Sequence, residues 1–235
     1  MQRRIPNSLI VTGLALALAL PVAAQPALAA RKSEPTKATK ATKVTKVTKA
    51  PVTEESEALA AVSKAAGKKV VLGRRVELKT TKGTLVVGLF EKDAPRTTDN
   101  FLRLVRKGFY DNTPFHRVIE GFVAQGGDPT GTGTGGPGHT LAFEKTPLKH
   151  IPGAIGMARS ASLDSAGSQF FIDFVALPQL DITLDAKGKP NGGYVVFGQV
   201  IGGQATLAKL TRTMNSNNAP IPGIQPDRII KARVL

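Results

Sequence analysis

Phe115-His116-Arg117-Val118-Ile119-Glu120-Gly121-Phe122-Val123-Ala124-Gln125-Gly126-Gly127-Asp128, read with Gly167-Ser168-Gln169-Phe170-Phe171-Ile172, decides how this chain folds. Each string carries a short apolar run bounded by turn residues, at 115–119 and 170–174, and similar runs stand at 154–158 and 195–200. Adjacent Phe170 and Phe171 must face opposite sides of a strand, one suited to a core and the other to a groove. Upstream, 76–80 and 84–90 are β-rich runs joined by Thr81-Lys82-Gly83, the pattern of a hairpin. Residues 95–108 read as a helix, with Phe101, Leu104 and Val105 at helical spacing and Gly108 placed to end it. A second helix is expected over 204–212 through Ala205, Leu207, Ala208 and Leu210, before a Pro-rich loop and a last strand near 228–234. Many short strands with few helices predict a mainly β barrel or sandwich.

Outward from these strings, folding potential is uneven. All ten Phe and both Tyr of the 235 residues lie between Phe90 and Phe197. Residues 71–235 hold 20 basic and 13 acidic side chains, a net +7, so the rest of the +15 lies upstream. A domain of about 165 residues buries roughly 68 to 70% of its unfolded surface and needs no metal or disulfide. With no Cys, disulfides, thiolate catalysis and Cys-based zinc sites are excluded.

The amino terminus reads Met1-Gln2-Arg3-Arg4, an apolar stretch over 9–20, Pro21, and then Ala27-Leu28-Ala29-Ala30. That is the layout of a secretory signal peptide over 1–30, cleaved near Ala29 or Ala30. The apolar stretch is shorter than the roughly 20 residues that span a bilayer, so no stable membrane insertion is expected after cleavage. Residues 31–70 are rich in Lys, Thr and Ala, with Lys37, Lys40, Lys43, Lys46 and Lys49 three apart, and read as a disordered spacer. The spacer either solvates and repels itself or contacts anionic envelope polymers weakly. Export makes nucleic acid an unexpected partner. The remainder, 71–235, is expected to act as a monomer.

Generic motifs do not survive their context. Gly133-Thr134-Gly135-Gly136-Pro137-Gly138 has dinucleotide-site spacing but contains Pro137 and opens no helix. His116, His139 and His150 lack metal-ligand spacing, so no metal or cofactor is expected. No nucleophile elbow marks a hydrolase.

The two opening strings, with Val195-Val196-Phe197-Gly198, resemble in order the three hallmarks of the cyclophilin family. The resemblance covers about 76–235. It implies an eight-stranded antiparallel β-barrel closed by two α-helices, with a substrate groove on its outer surface and peptidyl-prolyl isomerase activity on proline-containing polypeptides. Carried over by position, it makes Arg117 the catalytic residue and gives Phe122, Val123, Phe171 and Leu180 the walls of the proline pocket. Gln125 is expected to bond the substrate backbone, and Ala158, Arg159 and Gln169 to line the groove. Tyr194 stands where many members have His, as in bacterial envelope cyclophilins, so a periplasmic or secreted folding catalyst is the expectation.

These residue types suit the reaction. Amide resonance gives the X–Pro bond double-bond character, and uncatalysed rotation takes tens to hundreds of seconds. A site that favours the twisted bond, whose prolyl nitrogen has regained a lone pair, speeds rotation without a nucleophile. A guanidinium can donate a hydrogen bond to that nitrogen and cannot lose its own proton. Three departures from the family pattern stand out. Gln179 replaces an aromatic residue that helps bind cyclosporin, Arg159 adds a cation beside the groove, and the link between Asp181 and Tyr194 is long, which is expected to reshape one rim. Two other readings stay open: a cyclophilin-fold module that binds proline-rich partners without turnover, which intact Arg117 and Gln125 oppose, and an envelope polyanion binder working through the Lys-rich spacer.

Overall fold

A computed structural model describes residues 53–235; the expected signal peptide at 1–30 and residues 31–52 of the expected spacer at 31–70 lie outside the described residues. The first element is not spacer. Helix α1 spans Glu54–Ala66 and starts at a capping box, in which Thr53 Oγ1 accepts from Ser56 N–H and Ser56 Oγ accepts from Thr53 N–H. Glu54, Glu55 and Glu57 in the first turn complement the helix dipole, and Gly67, at φ 65°, ends the helix. Leu59, Val62 and Ala66 pack with Val70, Phe90, Leu148, Ala154 and Val196 in one apolar cluster. Ion pairs from Glu55 to Arg75 and from Asp93 to Lys68 hold this segment to the body. The expected disordered spacer is therefore corrected for 53–70, and the folded unit starts upstream of 71. Ala and Lys suit solvated coil and helix alike; the apolar stripe at 59, 62 and 66 decides for helix once the sheet offers it a surface.

The hairpin forms as read: β1 (Arg75–Thr80) pairs with β2 (Gly83–Leu89), Val76 opposite Val87 and Thr80 opposite Gly83. Helix α2 (Pro95–Arg106) opens with Pro95 in its first turn, where the missing N–H costs nothing, and Gly108 follows it at φ 67°. Its buried Phe101 meets Tyr110, Phe170 and Phe197 at ring-centroid distances of 5.0, 5.7 and 5.2 Å. Then come β3 (Arg117–Val118), β4 (Val123–Gly126), β5 (Ala154–Met157) and β6 (Phe170–Asp173). The long link folds as a hairpin of β7 (Thr183–Leu184) and β8 (Pro190–Gly192). The chain ends with β9 (Val196–Gly202), α3 (Gln204–Leu207) and β10 (Ile229–Val234).

Eight strands form one antiparallel sheet in the order β10-β1-β2-β9-β5-β6-β4-β3. It curls until its ends are joined through the chain beside them: Phe115 N–H donates to Asp227 O at 2.8 Å, and Pro114 bridges Arg228. This is the mainly β cyclophilin architecture that the resemblance implied. The expected pair of capping helices is corrected in detail. α3 is a single turn, because only Leu207 and Leu210 of that segment find the core, and α1 adds a third helix. Inside, Phe101, Tyr110, Phe115, Phe170 and Phe197 are fully buried.

Candidate active site

The site grows from strand register. Arg117 on β3 lies opposite Gln125 on β4, Gln125 opposite Phe171 on β6, and Phe171 opposite Gly156 on β5. Residues directly opposite share a face, so two neighbouring strands and a third remote in sequence place a guanidinium, an amide and a phenyl ring in one row. Alternation turns Phe170 into the core, fully buried, while Phe171 joins a separate apolar cluster with Val123, Ala158, Leu177 and Leu180.

Eight of the residues named from the sequence line one pocket: Arg117, Phe122, Val123, Gln125, Ala158, Phe171, Leu180 and Tyr194. The Tyr194 and Phe171 rings form a T-shaped pair, with centroids 5.5 Å apart and planes at 88°. Leu180 is presented by the turn Pro178–Leu180, which leaves Gln179 exposed. Arg159 and Gln169 stand just outside. Arg159 places its guanidinium 4.9 Å from the Tyr194 ring centroid, and its Nε donates to Gly193 O at 3.0 Å.

Arg117 is held from three sides. Its Nε donates to Asn218 Oδ1 at 2.9 Å, its Nη1 reaches Gln125 Oε1 at 3.4 Å, and its guanidinium lies 5.5 Å from the Phe122 ring centroid. Burial pulls its pKa down, opposed by the Tyr194 side chain, yet a guanidinium starts so high that it stays charged. Gln125 is aimed in turn: its Nε2 donates to Gln169 Oε1 at 3.0 Å, and Gln169 Nε2 donates to the carbonyls of Gly133 and Gly135, each at 2.9 Å. Asp128, fully buried, accepts from the backbone N–H groups of Thr130, Gly133 and Gly135. Burial pushes its carboxyl up, but these bonds outweigh it and hold the pKa below the usual carboxylate range. The glycine-rich loop is thus a scaffold: Asp128 sets the loop, the loop sets Gln169, and Gln169 sets Gln125.

Sequence reasoning missed Asn218. It occupies the left-handed region at φ 58°, in a turn where Asn215 Oδ1 accepts from Asn217 and Ala219 N–H. The run Asn215-Ser216-Asn217-Asn218 signals a turn that tolerates this conformation. Nothing local ties it to an arginine 101 positions away.

Chemically, the pocket can seat a small apolar ring while a fixed cation donates at its rim. No covalent step is needed, and among the described residues no cluster of three or more His, Cys, Asp or Glu could hold a metal. An apolar pocket beside a fixed guanidinium, on the outer face of a curled antiparallel sheet, suits a proline ring and the rotation of the X–Pro bond beside it. Comparison with known proteins gives the family. The model of the cyclophilin type peptidyl-prolyl cis-trans isomerase/CLD family matches residues 75–234. A peptidyl-prolyl cis-trans isomerase of Helicobacter pylori is 50% identical over 125 residues, covering 52% of this chain and 70% of that protein. A peptidyl-prolyl cis-trans isomerase-like 1 protein of Gibberella zeae is 40% identical over 166 residues, covering 68% and 94%. Among solved structures, a Cryptosporidium parvum cyclophilin type isomerase, crystallised in the presence of the dipeptide Ala-Pro, superposes with a TM-score of 0.59 at 38% identity, covering 68% of this chain and 98% of that one. The chain belongs to the cyclophilin-type peptidyl-prolyl cis-trans isomerases, and it is an isomerase enzyme. Helix α1 lies upstream of the residues that the family model matches.

Proposed function

We propose that this isomerase is exported and accelerates X–Pro rotation in polypeptides folding outside the cytoplasm, with Arg117 as its catalytic residue. Phe122, Val123, Phe171 and Leu180 wall the proline pocket, Gln125 bonds the substrate backbone, and Tyr194, Ala158, Arg159 and Gln169 shape the groove. The observation that carries the site reading is the three-sided grip on Arg117 at the rim of the apolar pocket. A preorganised donor aimed at the twisted bond supplies about 2.7 to 4 kcal/mol, and the pocket holds the ring while the acyl side turns. The leader at 1–30 supports export, and Tyr194 in place of the commoner His supports the envelope type. The Lys-rich residues 31–52 then hold the enzyme weakly to anionic envelope polymers.

A protease-coupled isomerisation assay on an Ala-Pro peptide tests the site. Folded Arg117→Ala should lose roughly 100- to 1,000-fold in turnover, and Arg117→Lys should recover little, because an ammonium lacks the planar fork. Near-normal turnover in Arg117→Ala removes Arg117 from catalysis. Fractionation of cells expressing the chain with and without residues 1–30 tests export; equal cytoplasmic retention of both rejects it.

A further inference from the structure

Behind the pocket lies a pair of side chains that the reaction as described does not use. His150 Nδ1 and Asp173 Oδ2 are 2.8 Å apart, and both side chains are wholly buried. Asp173 shares its face of β6 with Phe171, two residues away. The His150 ring stacks on the Phe171 ring at 5.5 Å and 13°, on the body side of the pocket wall. Gly156 makes room for both rings: a Cβ there would meet Phe171 Cζ at 2.5 Å and His150 Cε1 at 2.8 Å.

The rest of His150 reaches the other walls. Its Nε2 is 3.3 Å from Tyr194 O. Its backbone carbonyl accepts from Leu177 N–H at 2.9 Å, Leu177 O accepts from Leu180 N–H, and Leu180 O accepts from Tyr194 N–H. Its own N–H donates to Asp181 Oδ1 at 2.9 Å. The imidazole therefore touches the Phe171 ring and the Tyr194 carbonyl from behind, the His150 backbone reaches Leu180 through Leu177, and Asp173 fixes the rotation of the imidazole.

We propose that His150 and Asp173 are positioning residues for isomerisation, a buried imidazole–carboxylate pair that holds the Phe171 and Tyr194 walls in their binding geometry. The proposal rests on reading Phe171 as a wall of the proline pocket. Burial pushes the Asp173 carboxyl up to about 6, against the hydrogen bond and charge of His150 and with the Asp181 carboxylate raising it further. The other charged groups around the pair are Lys149, whose Nζ lies 3.2 Å from Asp181 Oδ2, and Arg159 over the Tyr194 ring. As a carboxylate, Asp173 is a strong charge-assisted acceptor for Nδ1–H; protonated, it is a weaker one. The brace loosens as pH falls through about 6.

The test uses the full chain and NMR exchange on a blocked Ala-Pro peptide, which needs no protease and carries no titrating group. Wild type should show peptide affinity falling between pH 7.5 and 5. Asp173→Asn, which keeps the shape and an acceptor oxygen, should lose that inflection. His150, close to Arg117 in neither strand nor contact, differs from His116, whose pKa burial pushes down; Asp173→Asn is the arm that assigns the inflection to the pair. His150→Gln should weaken affinity about 2- to 10-fold at pH 7.5, the worth of one aromatic contact, with little change in the bound-state exchange rate. A flat wild-type profile, an inflection that persists in Asp173→Asn, or unchanged affinity in a folded His150→Gln each overturns the proposal. Phe171→Ala runs beside them. If it fails to weaken affinity, the pocket reading fails; if it weakens affinity while the pair's variants do not, only the positioning role fails.

Discussion

Replacing Asn218 by Gly separates two jobs that this residue performs at once. Asn218 holds a left-handed backbone and accepts the Arg117 Nε hydrogen bond at 2.9 Å. Gly keeps the first without strain and removes the second. A hydrogen bond to a charged group contributes about 1.5 to 3 kcal/mol. Felt wholly in the transition state, its loss is worth roughly 10- to 150-fold in rate. Gln125 at 3.4 Å and the Phe122 ring still restrain the guanidinium, which places the expected loss toward the lower end. The peptide assay should therefore show kcat falling about tenfold or more, with KM little changed. Asn218→Asp, which retains an acceptor oxygen at the same reach, should recover most of the rate. Asn218→Ala should resemble Gly in rate but also lose about 1 to 2 kcal/mol of stability through its left-handed backbone. In an Arg117→Lys background, Asn218→Gly should add little, because Lys has no Nε–H donor to orient. A folded Asn218→Gly protein within twofold of wild type, or full multiplication of the two defects, would refute the orientation argument.

Removing residues 53–70 uncovers Phe90, Leu148, Ala154 and Val196, so the 71–235 fragment should melt below the 53–235 fragment while keeping peptide turnover, since every pocket residue lies downstream. Val62→Ala alone should cost about 1 to 3 kcal/mol, or roughly 2 to 12 °C in Tm; an unchanged Tm would show that α1 is not held by its apolar face. Asp173→Asn should raise Tm at pH 7.5 more than at pH 4. A carboxyl raised to about 6 contributes stability that is complete below its unfolded value and lost as pH rises through 6; an equal effect at both pH values contradicts this. Asp227 behaves oppositely: burial pushes it up, but bonds from Thr81 and Thr211 and the nearby Lys82 hold it low, so its contribution is lost below about pH 4, and Asp227→Asn should flatten the acid limb of the Tm curve. Gln179 is exposed on the turn that presents Leu180, so Gln179→Trp should strengthen cyclosporin inhibition with peptide turnover largely intact; tight inhibition of the unmodified protein would count against this.

Local chemistry was enough for much of this protein. The turn at Thr81-Lys82-Gly83, the helix opened by Pro95 and closed by Gly108, and the opposite facing of Phe170 and Phe171 all follow from backbone sterics and two short periodicities, which neighbours in sequence express. The order of the strings around Arg117 and Phe171 was legible too, because the family keeps those residues contiguous. Composition misled at 53–70: Ala and Lys describe a spacer and a helix equally well, and only the apolar surface at Phe90 and Val196 stabilises the helix. Register was also decided in three dimensions, since no residue encodes by itself that Arg117 stands across from Gln125 and Gln125 across from Phe171. Asn218 and the His150–Asp173 pair lay furthest from a sequence reading. Each acts through a hydrogen bond to a partner remote in the chain, and such a bond exists only after the sheet has curled and brought its ends together.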